Sequence, residues 1–155
     1  MLLIGESLNV ISTKIGAAYK ARDPKPIQEE ALFQREKGMD YIDINLGPAK
    51  KDGHELMPWV VQTVQEVVDD IPLALDTSNI DAISEALKVY KDTPQPPLIN
   101  SIMVRPERYE SMVPLAVEHN ADFIALMWGP EGLPRDENER AALSVELLYF
   151  ANEAG

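Results

Sequence analysis

Apolar positions along this chain fall into short continuous runs, and longer stretches between them repeat apolar residues every three or four positions. Runs of the first kind predict buried strands; the spacing of the second predicts amphipathic helices. Residues 2–5 read as a strand, followed by a loop with Gly16 and Pro24 as turn signals. From Pro26, PIQEEALFQREKG sets Ile27, Ala31, Leu32 and Phe33 near one helical face, with proline in the first turn and Gly38 as the stop. DYIDIN gives a second strand at 41–45. MPWVVQTVQEVVDD, 57–70, carries Trp59, Val60, Val64, Val67 and Val68 on a helical stripe. A third strand covers 73–76, and the helix starting near Asn79 has Ile80, Ile83, Leu87 and Tyr90 on one side. PPLINS is a fourth strand; PERYESMVPLAVEHN is a helix whose Pro114 should kink it. DFIALM is the fifth strand, and ENERAALSVELLYFANEAG the last helix.

Repeated strand–helix alternation argues for an α/β fold with a parallel sheet and crossover helices. The strands are almost wholly apolar, as expected where both faces are covered. Two architectures fit this pattern. A five-stranded doubly wound sheet could be built from this length. An eightfold TIM-type (β/α)8 barrel takes about 250 residues, roughly 31 per unit, so about 155 residues make five units. The second match predicts that 1–155 forms the first five βα units of such a barrel, the N-terminal part of a longer chain.

Charge and composition then remove function classes. A formal net charge of -12 argues against a nucleic-acid binder, which needs clustered lysine and arginine, and against docking on anionic membranes. With no cysteine, thiolate metal sites, disulfides and thiol nucleophiles are excluded. The opening MLLIGES lacks the basic flank and apolar length of a signal segment, and no run reaches membrane-spanning length. A soluble, cytoplasmic protein is the expectation.

The candidate chemistry lies where apolar runs end. Glu6 and Asn9 follow the first run, Asp43 and Asn45 lie in the second, Asp76 to Asn79 close the third, and Asn100 and Ser101 close the fourth. Sites in parallel α/β folds assemble at the carboxyl ends of strands, where the loops converge. Part of this series has a plainer explanation: Thr77, Ser78 and Asn79 precede a helix and are good caps, and Asn45 before LGP suits a turn. Asp76 and Asn100 come before any cap position. Carboxylates and carboxamides without a fixed cation suit a neutral, donor-rich heterocycle better than a phosphate. Neither glycine fingerprint for nucleotide phosphates is present. His54 and His119 lie far apart in sequence and read as surface residues. DGHELM, 52–57, is close to the D-x-H-x-x-G corrinoid signature, but Met57 stands where its glycine belongs and the segment precedes the wrong helix, so a cobalt ligand is rejected. No Ser–His–Asp arrangement can be assembled, and no catalytic residue is assigned.

In this order, LIGESLN, DYIDINLGP, LALDTSN and PLINS resemble the strand ends of the pterin-binding family, in particular the corrinoid-dependent methyltetrahydrofolate methyltransferases. VPLAVEHN, 113–120, and GLPRDENER, 132–140, extend the likeness along the chain. The resemblance implies a barrel, a homodimer, and a pterin in the mouth bound by Asp76 and Asn100, with Asn45, Asn9, Asp43 and Ser101 as further mouth residues. It also implies methyl transfer between N5 of methyltetrahydrofolate and the cobalt of cobalamin carried by a separate corrinoid protein, with no metal held by this chain. Ser7 departs from the family's usual basic residue after G-E. Dihydropteroate synthases share the fold, but their first-strand signature is missing: Val10, Ile11, Ser12 and Thr13 follow Asn9. A dihydropteroate synthase relative and a non-catalytic five-stranded α/β binding domain are the alternatives.

Overall fold

The computed structural model describes residues 1–155 and divides into two compact units, Met1–Leu98 and Ile99–Gly155. In the first unit β1 (Ile4–Asn9) leads to α1 (Thr13–Ala21) and α2 (Pro24–Glu36), then β2 (Tyr41–Gly47), α3 (Gly53–Gln65), β3 (Leu73–Thr77) and α4 (Ile80–Val89). From the boundary at Leu98, β4 (Leu98–Met103), α5 (Pro106–Glu118), β5 (Asp122–Leu126) and α6 (Glu137–Ala154) follow. Five parallel strands alternating with helices make this an α/β fold, consistent with part of a TIM-type (β/α)8 barrel. No helix is long and apolar enough to cross a membrane.

The strands of the first unit pair in chain order, β1 with β2 and β2 with β3, all parallel. Ile42, Ile44, Leu73, Ala74 and Leu75 are fully buried, which is why these strands carry apolar residues on both faces. β1 is irregular: it advances three residues from Gly5 to Leu8 while β2 advances two from Ile42 to Ile44. The extra residue is a bulge at Glu6 and Ser7, both exposed. In the second unit, β5 has no fully covered position, and α6 buries only Leu147 while exposing Val145, Leu148 and Tyr149.

Several element boundaries differ from the sequence reading. The first strand runs on to Asn9, so Glu6 and Asn9 lie within it rather than after it. The segment expected as a loop contains α1, whose first turn is capped by Ser12 accepting from the Ile15 N–H at 3.4 Å. Its packing face, Ile15, Gly16, Ala18 and Tyr19, has only two large side chains, too few for a strong apolar stripe. A Cβ at Gly16 would lie 2.4 Å from the Val10 carbonyl oxygen, so only glycine allows α1 to close on the end of β1. α2 begins at Pro24 rather than Pro26, because Asp23 caps it by accepting from the Lys25 N–H at 3.1 Å. α3 starts before Met57 and continues through Pro58, and α5 contains Pro114.

Candidate functional site

Strand register brings three of the expected residues into one row. Asn9 pairs with Asn45, and Asn45 pairs with Asp76, so they lie side by side on β1, β2 and β3 at the carboxyl end of the strands. Neighbouring strands are about 4.8 Å apart, close enough for these side chains to bond to one another or to one flat ligand. The Asn45 amide is fixed from both ends. Its Oδ1 accepts from the Gly47 N–H at 2.9 Å, which turns Nδ2 towards Asp76, and Nδ2 donates to Asp76 Oδ2. Asp76 Oδ1 is left without a protein donor on a half-buried carboxylate. Asn9 is held by an Asx turn, with Oδ1 accepting from the Ile11 N–H at 3.0 Å, so its Nδ2 remains as a donor.

Burial raises the Asp76 carboxyl above the usual aspartate range, and the negative charge of Glu6 adds to this; the hydrogen bond from Asn45 works in the opposite direction. Glu6 belonged to the polar series along the sequence but was not singled out. Its place at the β1 bulge, which only the strand register reveals, brings its charge to bear on Asp76. Asp43 lies two residues before Asn45, on the same face of β2, and is almost completely buried. Burial, and then the charge of Asp43, push the Tyr19 phenol upward; its hydroxyl donates to the Leu8 carbonyl at 2.7 Å. The remaining two expected residues, Asn100 and Ser101, lie half-buried on β4 of the second unit.

Of the three residues read as caps, Asn79 is the N-cap of α4. Asn79 caps α4 by accepting from the Ala82 N–H at 3.3 Å, and its Nδ2 donates to the Ala49 carbonyl at 2.9 Å. Thr77 is not a cap: its hydroxyl donates to the Gly47 carbonyl at 2.6 Å and accepts from the Asn79 N–H at 3.2 Å. These bonds fasten the loop after β2 to the loop after β3, and so hold the Asn45–Asp76 pair in place. His54 is exposed on α3 beside Glu55 at 3.8 Å, and His119 sits at the end of α5. A separate cavity of about 380 Å³ in the second unit is lined by Phe123, Ala125, Met127, Leu147, Leu148 and Ala151, and contains none of the expected residues.

The row therefore offers an open carboxylate oxygen, carboxamide donors and a nearby second carboxylate, with no fixed cation among them. Chemically, such a set can accept from N–H donors and favours a neighbouring group that carries positive charge. The family model described as pterin binding enzyme matches residues 5–151. A curated relative, the methylcorrinoid:tetrahydrofolate methyltransferase of Eubacterium limosum, is 26% identical over 155 residues, covering 99% of this chain and 56% of that protein. The chain thus spans a little over half the length of that relative. With a family match running through both units and all the strand-end motifs, the chain belongs to the pterin-binding enzyme family.

Proposed function

We propose that this chain is part of a methyltransferase that moves a methyl group between N5 of methyltetrahydrofolate and the cobalt of a separate corrinoid protein. The observation that carries the reading is the register-aligned row Asn9, Asn45 and Asp76, with Asp76 Oδ1 free to accept. Pterin presents an exocyclic amine and a ring N–H on one edge, and a carboxylate held from behind by an amide complements that pair. Membership of the pterin-binding enzymes and the relative's name support the substrate class and the partner.

In this reading Asn45 orients Asp76, Asp76 and Asn100 bind the pterin edge, and Asn9, Asp43 and Ser101 complete the surroundings. When the methyl leaves N5, its bond pair stays on N5; cobalt(I) of the corrinoid supplies the pair for the new bond. The reverse direction runs through the same geometry. N5 leaves readily only when it carries a proton, and the Glu6 and Asp76 charges favour that cationic form. Holding the pterin in a fixed orientation for the corrinoid supplies much of the remaining rate. A barrel domain including residues 1–155, a homodimer and a cytoplasmic setting belong to the same proposal.

The test is calorimetric titration of methyltetrahydrofolate into the intact protein, with Asp76→Ala and Asn100→Ala alongside. Losing one charge-assisted contact should weaken binding about tenfold or more. Unchanged affinity in both variants rejects the reading. Turnover of a pterin pyrophosphate with p-aminobenzoate, without corrinoid, would instead identify a dihydropteroate synthase relative.

A further inference from the structure

Resting on the methyltransferase reading above, we infer that Trp128, Leu133 and Arg140 form the surface on which the polypeptide of the corrinoid protein docks. The three line one open cavity of about 260 Å³ together with Leu126, Met127 and Pro134. It lies just past the carboxyl end of β5, and in parallel α/β folds this is the end of the strands where reactants arrive. Its walls are fixed. Gly129 and Gly132 exchange N–H···O bonds at 3.0 Å, closing the segment between them into a tight turn, and Gly132 takes the positive φ of 99° there. The turn is tied to the end of β4, the strand that carries Asn100 and Ser101. The Val104 N–H donates to the Trp128 carbonyl at 3.0 Å, and Arg105 Nε donates to the Gly129 carbonyl at 3.1 Å. From behind, α6 packs so closely that a Cβ on Gly129 would lie 3.0 Å from Leu143.

On this rigid frame stand side chains of the kinds that hold proteins together. Tryptophan and arginine are enriched at such contacts, where a few anchors carry most of the affinity. Trp128 is 38% and Leu133 66% exposed, so both have surface left to bury. Arg140 is half-buried at the cavity wall, and its guanidinium makes no ion pair, hydrogen bond or ring contact. The other arginines are engaged: Arg22, Arg35 and Arg135 face carboxylates, Arg105 holds the Gly129 carbonyl, and Arg108 also has a partner. Acids near Arg140 are committed. Glu139 accepts from Arg135 Nε at 3.1 Å, and Asp136 caps α6 by accepting from the Glu139 N–H at 2.9 Å. Glu137, in the same turn, is exposed and forms no bond to Arg140. A half-buried guanidinium beside an indole and a leucine, in a chain of net charge -12, complements a carboxylate from outside with an apolar group next to it. The corrinoid protein is the occupant favoured here. Methyl transfer requires its cobalt to come up to the strand ends, so its polypeptide must rest on the loops found there.

The experiment follows methyl transfer by the intact protein with two corrinoid reactants, a corrinoid protein and free cob(I)alamin, and measures methyltetrahydrofolate affinity by calorimetry. Wild type is compared with Arg140→Ala and Leu133→Ala, whose melting temperatures check that both fold. The KM for the corrinoid protein should rise about tenfold in Arg140→Ala and about threefold in Leu133→Ala, with kcat kept within about twofold. Free cob(I)alamin has no polypeptide to dock, so its rate should match wild type in both variants, as should methyltetrahydrofolate affinity. An unchanged KM for the corrinoid protein in both variants overturns the inference. An equal loss with free cob(I)alamin also overturns it, since the side chains would then touch the corrin or the pterin. So does weaker self-association of the variants in sedimentation with that KM unchanged, because the occupant would then be a second copy of the chain. In each of these cases the methyltransferase reading stands as long as Asp76→Ala still weakens methyltetrahydrofolate. If wild type binds no methyltetrahydrofolate, or transfers methyl with neither corrinoid, that reading fails and the docking surface falls with it.

Discussion

Asp76 is balanced between two opposing influences, and that balance can be measured. Burial and Glu6 raise its carboxyl, whereas the Asn45 hydrogen bond favours the ionised form. In the ligand-free protein a raised aspartate contributes stability fully below its ordinary unfolded value, and that contribution is lost as pH rises through the raised folded one. A ligand donating to Oδ1 has the opposite preference, because it needs the carboxylate. Pterin affinity should therefore decline as pH falls through the raised Asp76 value, beginning at a higher pH than an ordinary aspartate would give. Asp76→Asn should bind more weakly at neutral pH and lose this acidic limb. An acidic limb unchanged by Asp76→Asn would assign the titration to another group. The type and place of Asp76 were legible because a carboxylate directly after a buried apolar run cannot yet be a cap. The Glu6 effect was not legible, since it depends on a bulge that sequence spacing does not reveal.

Between elements, the side chains that look like simple caps also join loops. Asn79 satisfies a helix N–H with its oxygen and the Ala49 carbonyl with its nitrogen, so one residue ties α4 to the β2–α3 loop. Asn79→Ala should cost about 1–3 kcal/mol in urea denaturation, combining a lost cap with a carbonyl left without its donor. Asn79→Ser keeps the cap but cannot reach Ala49, and should fall between the two. If serine destabilises as much as alanine, the tie to Ala49 is the main contribution; if it restores wild-type stability, the tie contributes nothing. Gly16→Ala tests α1 in the same way. A Cβ 2.4 Å from a backbone oxygen has to displace α1 from β1, at about 1–3 kcal/mol. Strands and the amphipathic α4 could be read from periodicity. α1 could not, because its contact with β1 depends on small residues and on the Tyr19 hydroxyl bound to the Leu8 carbonyl.

At the scale of the chain, an α/β reading followed from alternation alone, but its division into two compact units did not. Apolar runs report that a strand is covered, and are silent on how completely. The difference is large: Ile42, Ile44, Leu73 and Leu75 in the first unit are fully buried, while in the second α6 covers Leu147 and leaves Leu148 63% and Tyr149 66% exposed. Local opening becomes easier where few apolar contacts must be broken and backbone bonds are already near solvent. Native-state hydrogen exchange on the 155-residue chain should therefore rank the amides of β2 and β3 slowest, with those of α6 exchanging at least about tenfold faster. Protection in α6 equal to that in β2 would mean that its bare apolar face is covered by a further contact, such as a second copy of the chain. Repeating the measurement over a range of protein concentrations separates these outcomes: protection from self-association rises with concentration, whereas stability intrinsic to the unit does not.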